Sequence, residues 1–156
     1  TEDQYQLGEQ DEANERAENY VAEDVVPRIS HQALAKLAQH RAAGHFLVIL
    51  TGCPDLLMAH LGPHLKADVI VCGRLEHRAG RFTGATFPPY PYGIGKRLLL
   101  DQLVATHHID PAKSYAYADQ LSDLEVLSAV RYPSVVNPGR RLTRIAKARG
   151  WEVYNW

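Results

Sequence analysis

Phe46-Leu47-Val48-Ile49-Leu50-Thr51-Gly52 is the stretch that decides the fold. Its five leading residues are apolar without a break, so the strand they form has no solvent face. Strands of that kind are buried on both sides of a parallel sheet. Upstream, Ser30 can cap a helix from about His31 to Ala43, with Gly44 as its stop and Leu34, Leu37 and Ala38 as its apolar stripe. Downstream, Pro54 fits the first turn of a helix reaching about Leu65, and Val69-Ile70-Val71-Cys72 is a second buried strand.

The pattern continues to the end of the chain. Arg74-Leu75-Glu76-His77 and Arg81-Phe82-Thr83 flank Ala79-Gly80, which predicts a β-hairpin. The prolines of Pro88-Pro89-Tyr90-Pro91-Tyr92-Gly93 predict a loop. A helix is expected from about Gly95 to His107, a strand from Ser114 to Ala118, and a helix from Leu121 to Val130. A strand at Tyr132 to Val136, a helix from Arg140 to Arg149 stopped by Gly150, and a short strand at Glu152 to Asn155 follow. Strand and helix alternate, which argues for an α/β fold: a Rossmann-like parallel sheet flanked by helices, with a small hairpin. In such sheets chemistry sits at the carboxyl ends of the strands.

Bulk properties narrow the class. The 156 residues carry a formal net charge of -1, which makes no global electrostatic case for nucleic acid or an anionic membrane as partner. No apolar run approaches the roughly 18 residues of a membrane span. Two cysteines, Cys53 and Cys72, make no disulfide framework. The first twenty residues are acidic and polar, the reverse of a signal peptide, so the expected compartment is the cytoplasm. Residue 1 is Thr, which points to processing or to a piece of a longer product.

The residues that follow the strands are the candidates for function. Thr51 and Gly52 end the first strand before a helix, where a hydroxyl, exposed backbone N–H groups and the helix dipole suit an anionic oxygen. Asp119 ends the third strand and Asp123 follows four residues later. Two carboxylates so placed suit a hard cation such as magnesium, which takes one or two carboxylates plus phosphate oxygens and water. Lys96 opens a helix, against the macrodipole, and a phosphate held there would offset that cost. Each also has an ordinary explanation: a helix cap for Thr51, a helix-capping Asp119 with Asp123 favoured by the dipole one turn on, a solvated cation for Lys96.

Together these residues resemble the haloacid dehalogenase superfamily, in its phosphoserine-phosphatase-like branch. Leu47-Val48-Ile49-Leu50-Thr51-Gly52 is similar to the family's second motif, Lys96 to the third, and Tyr115-Ala116-Tyr117-Ala118-Asp119-Gln120-Leu121-Ser122-Asp123-Leu124 to the fourth. The Arg74 to Gly84 hairpin, Val136-Asn137-Pro138-Gly139-Arg140-Arg141-Leu142 and Arg149-Gly150-Trp151-Glu152-Val153 also fit, in order. The resemblance implies a Mg2+-dependent phosphomonoester hydrolase acting on a small phosphorylated substrate. Thr51 would hydrogen-bond the phosphoryl group, Lys96 would neutralise its charge, Asp119 would bind the metal, and Asp123 would support the metal shell or Lys96. It also implies a core over residues 29–156 and a helical-cap remnant or mobile segment over residues 1–28.

One family element is missing. None of the nine aspartates forms the Asp-x-Asp pair whose first member attacks phosphorus, and the family's usual Gly and Ser or Thr flanking Asp119 are Ala118 and Gln120. Without the nucleophile this chain alone is expected to be inactive, to hold magnesium weakly or not at all, and to leave a gap in the sheet. A preceding segment or another chain would complete the sheet; alternatively, the chain is an inactive relative serving as a binding or assembly subunit. Three other features carry less weight: His60 and His64 at helical metal spacing, Cys53 as a nucleophile, and the basic helix Arg140, Arg141, Arg144, Lys147, Arg149, read as a solvated face.

Overall fold

A computed structural model describes the backbone of residues 2–156 and the side chains from residue 11 onward. The chain divides into two compact units, Thr1–Tyr90 and Pro91–Trp156, each with its own three-stranded sheet. The α/β class, with parallel strand pairs and flanking helices, is as expected, and the strands are hydrogen-bonded as two sheets. The division falls in the proline-rich loop. The boundary expected near residue 28 lies inside the first unit, at a 3-10 turn, Val26–Arg28.

In the first unit, helix α1 (Glu2–Tyr20) runs into a π-turn, Val21–Val25. Ala17 and Val21, four residues apart and thus on one face, are buried among the described residues. Helix α2 (His31–Ala42) begins where Ser30 caps it: the Ser30 hydroxyl accepts from the Ala33 N–H at 3.3 Å. Strand β1 (Val48–Pro54) starts two residues later than its apolar run and extends past Thr51. Phe46 is 49% exposed, so burial does not draw it into the strand. The Asp68 carboxylate instead accepts from the Leu47 N–H at 2.6 Å, and the Asp68 N–H donates to the Leu47 carbonyl at 2.8 Å. These two bonds set β1 in register with the parallel strand β2 (Val69–Arg78), pairing Val48 with Val69 and Leu50 with Val71.

Helix α3 (Asp55–Leu65) links the two strands, with Pro54 at its cap rather than in its first turn. Gly62 is where α3 meets β2 most closely, since a Cβ there would lie 2.6 Å from Ile70 Cδ1. The Arg41 guanidinium donates at 3.0 Å to the carbonyls of Leu65 and Lys66, satisfying acceptors that the end of α3 leaves open. Strand β3 (Arg81–Phe87) returns antiparallel through Ala79 and Gly80, both at positive φ, the two-residue turn whose twist matches a hairpin. Thr83, Gly84 and Ala85 bulge opposite Glu76, because Leu75 pairs with Thr86 but His77 with Phe82. Such a bulge interrupts the ladder of an exposed edge strand.

In the second unit, helix α4 (Ile94–His107) precedes strand β4 (Tyr115–Ala118), helix α5 (Leu124–Ser128), strand β5 (Tyr132–Val136), helix α6 (Arg140–Arg149) and strand β6 (Glu152–Tyr154). The strands are parallel in the order β4-β5-β6. Leu127, Val135, Leu142 and Ala146 form the core, packed by Ala116, Ala118, Leu121, Trp151 and Val153. Burying each large aliphatic side chain there contributes about 1.5–3 kcal/mol. The expected Leu121 to Val130 helix is shorter: a 3-10 turn, Leu121–Asp123, comes first and α5 has five residues.

Candidate active site

The second unit gathers charge at the carboxyl end of β4. Asp119 directly follows the strand; it is exposed and has no hydrogen-bond or ion-pair partner among the described residues. Asp123 closes the 3-10 turn and is 5% exposed. Its Oδ1 accepts from Lys96 Nζ at 2.7 Å, and the Lys96 side chain is 16% exposed. A buried carboxylate and ammonium at this distance compensate each other's desolvation. The pair also answers why a cation stands in the first turn of α4, where the macrodipole opposes it. Asp123 is the cap residue of α5 but makes no side-chain capping bond, so the capping explanation does not describe what its carboxylate does.

Backbone shape aims Lys96. Gly93 caps α4 at φ 52, ψ -125, a conformation open to glycine alone among the ordinary residues. The Gly95 N–H donates to the Tyr92 carbonyl and the Lys96 N–H to the Gly93 carbonyl, each at 3.0 Å, which tightens the helix start. The Gly93-Ile94-Gly95 that precedes Lys96 is the local sequence signal for this turn. Just after β5, the Asn137 side chain accepts from the Trp156 N–H at 2.8 Å and donates to the Trp156 carbonyl at 3.0 Å.

Thr51 belongs to the first unit. It stands inside β1, three residues before the Pro54 cap of α3, and so does not cap that helix. Its Oγ accepts from the Cys53 N–H at 3.1 Å, which leaves the hydroxyl hydrogen to donate elsewhere. Gly52 is exposed beside it. The neighbouring strand comes close at this point, because a Cβ on Gly73 would lie 3.2 Å from the Gly52 carbonyl oxygen. Burial, then Cys72, pushes the Cys53 thiol up, and burial, then Asp55, does the same for Cys72. A nucleophilic cysteine needs the opposite shift. His60 Nε2 lies 3.0 Å from Asn14 Oδ1, an ordinary hydrogen bond that accounts for it without a metal.

The donor chemistry suits a hard cation, since Asp119 is a free carboxylate and Asp123 keeps its second oxygen. Among the described residues no group of three or more His, Cys, Asp and Glu could hold an ion by itself. A magnesium ion here would draw its remaining ligands from water and substrate, which is its habit.

A family model described as haloacid dehalogenase-like hydrolase matches residues 3–128. A probable phosphatase of Mycobacterium tuberculosis is 31% identical over 132 residues, covering 85% of this chain and 46% of the relative. A histidinol-phosphatase of Neisseria meningitidis is 28% identical over 141 residues, covering 88% and 64%. Among solved structures, a protein of unknown function from Bordetella pertussis superposes with a TM-score of 0.81 at 28% identity, over 88% of this chain and 63% of the other. A substrate-bound phosphoserine phosphatase has a TM-score of 0.64 at 15% identity, over 79% and 56%, a likeness of fold. This chain spans about half the length of the first curated relatives it matches.

Proposed function

The chain belongs to the haloacid dehalogenase-like hydrolases, and from that premise we propose that it forms part of a magnesium-dependent phosphomonoester hydrolase acting on a small phosphorylated substrate. The observation that carries this reading is the buried Lys96–Asp123 pair beside the unpartnered Asp119 at the end of β4. A structural salt bridge has no need of a second, exposed carboxylate at a strand end, whereas a phosphoryl site needs cation and metal ligand together.

Thr51 would donate its hydroxyl hydrogen, and Gly52 its backbone N–H, to phosphoryl oxygens. Lys96 would neutralise phosphoryl charge, held in place by Asp123. Asp119, with Asp123 in support, would hold magnesium, which when bound supplies charge neutralisation to the phosphoryl oxygens. Positioning and charge compensation of this kind account for most of phosphoryl-transfer catalysis. The attacking carboxylate is not among these residues, since no Asp-x-Asp pair occurs. We assign it to a preceding segment or another chain, adding a strand to a sheet edge; β1 and β4 are both edge strands of their sheets. Residues 29–156 would then be the core and residues 1–28 the remnant of a helical cap. Two free cysteines suit a reducing compartment, and we place the protein in the cytoplasm.

The test is hydrolysis of a generic aryl phosphate with magnesium, by this chain and by the longer polypeptide that includes an Asp-x-Asp segment. The longer form should turn over, and Lys96→Met should lower its kcat by about 100- to 1000-fold. Asp119→Asn should abolish activity and weaken magnesium binding. A longer form that is inert, or one indifferent to both substitutions, would leave an inactive binding subunit as the better reading.

A further inference from the structure

The net charge of -1 conceals a division of charge. The unit Thr1–Tyr90 holds eight Lys or Arg against twelve Asp or Glu, a formal -4. The unit Pro91–Trp156 holds nine against six, a formal +3. Its excess lies on α6, whose ten residues include Arg140, Arg141, Arg144, Lys147 and Arg149 and no acid. All five cations are exposed, while Leu142 and Ala146 turn into the core at 2% and 0% exposure. Arg140, Arg141, Arg144 and Lys147 have no ion-pair or hydrogen-bond partner among the described residues. Arg149 donates to Ser128 Oγ at 2.7 Å and lies 5.0 Å from the centre of the Trp151 ring.

The macrodipole favours Lys147 and Arg149 in the last turn but does not explain the rest of the pattern. Arg140 with Arg144, Arg141 with Arg144, and Arg144 with Lys147 are like charges three or four residues apart, each pair repulsive on a helix surface. Arg140 and Arg141 also stand in the first turn, where the macrodipole disfavours a cation. An apposed anionic surface relieves both costs.

We infer that the outward face of α6 docks on an anionic lipid bilayer, with its cations against headgroup phosphates. Clusters of four to eight Lys and Arg on an amphipathic helix suit such surfaces. A bilayer fits these observations better than a nucleic acid does. Leu142 and Ala146 pack α6 on the core, so its outer face offers exposed cations. No aromatic side chain stands between its cations on which bases could stack. This docking does not rest on the phosphatase reading.

Flotation of the whole chain with vesicles of phosphatidylglycerol and phosphatidylcholine in equal parts tests it. The chain should float with these vesicles near 0.1 M salt, stay behind with phosphatidylcholine alone, and be released near 1 M salt as the screening length falls to about 3 Å. Each cation near the surface is worth about a 5-fold change in partition, so Arg140→Gln, Arg144→Gln and Lys147→Gln together should lower it about 100-fold. Arg141→Gln alone should lower it about 5-fold. Arg16→Gln, on α1, should leave partition unchanged. Equal flotation with both vesicle types, or an unchanged triple variant, overturns the proposal. So does α6-dependent binding to a single-stranded oligonucleotide without vesicle binding, which would make the partner a nucleic acid.

Discussion

The pair joining Lys96 to Asp123 can be weighed by removing one side at a time. Both groups are largely withdrawn from water, at 16% and 7% side-chain exposure, and 2.7 Å apart. Asp123→Ala leaves an ammonium in that environment without its carboxylate, and breaking a buried pair in this way costs about 3–5 kcal/mol. Lys96 is the more exposed partner and its long stem can carry the ammonium toward water, so the lower end applies, about 3 kcal/mol. For a chain of this size each kcal/mol moves Tm by roughly 2–4 °C, which gives a fall of about 6–12 °C. Lys96→Met strands the buried carboxylate, which has a short stem and no such escape, and should cost at least as much. The double variant Lys96→Met with Asp123→Leu removes both charges and fills the space with apolar groups. It should recover most of the loss, because replacing a buried ion pair by packed apolar residues is often neutral or better. Urea or thermal unfolding of the four proteins gives the coupling energy directly, expected at about 2 kcal/mol or more. Single losses under about 0.5 kcal/mol that simply add in the double variant would refute the buried pair. A double variant that regains stability but not hydrolysis separates the pair's role in chemistry from its role in folding.

Three further outcomes follow from the geometry. Gly93→Ala forces a Cβ into a backbone region that costs about 1–3 kcal/mol, and a denaturant melt should show a loss of that size. Leu127→Ala empties the centre of the second unit's core, where Leu127 is 0% exposed, and should cost about 2–5 kcal/mol by the same measurement. The Tyr117 hydroxyl is pushed up to about 12 by burial first, then by Tyr154 and Tyr115. Between roughly pH 10 and that value the unfolded chain gives up this proton and the folded chain keeps it, so stability present below pH 10 is lost as pH rises toward 12. A spectrophotometric titration of tyrosinate should contain a late component that Tyr117→Phe removes; a titration complete near the ordinary tyrosine value would refute the shift.

Much of the local architecture could be read from the chain alone, because local signals specify it. Ser30 before an apolar-periodic stretch caps α2, Ala79-Gly80 turns the hairpin, and Gly150 ends α6, each through the conformational preference of one or two residues. The run after His45 announced a strand, although Val48 to Leu50 are half-buried rather than buried and Asp68, twenty-one residues from Leu47, sets where it starts. Asp119, Asp123 and Lys96 stood out as charges at strand and helix ends. Their types and spacing left capping and solvation as rival explanations.

Only the tertiary structure set capping aside for Asp123 and gave Lys96 a partner. Asp123 turns its carboxylate away from the helix it precedes and toward Lys96, twenty-seven residues earlier, because two withdrawn opposite charges gain more from each other than a cap bond would give. The strands form two sheets rather than one, since period and burial announce a strand but the choice of hydrogen-bonding neighbour belongs to the whole chain. The unpaired cations of α6 were visible as letters, yet their lack of partners depends on what folds beside them. Local preference is written in a few adjacent residues; pairing, burial and compensation of charge depend on distances that the folded chain alone creates.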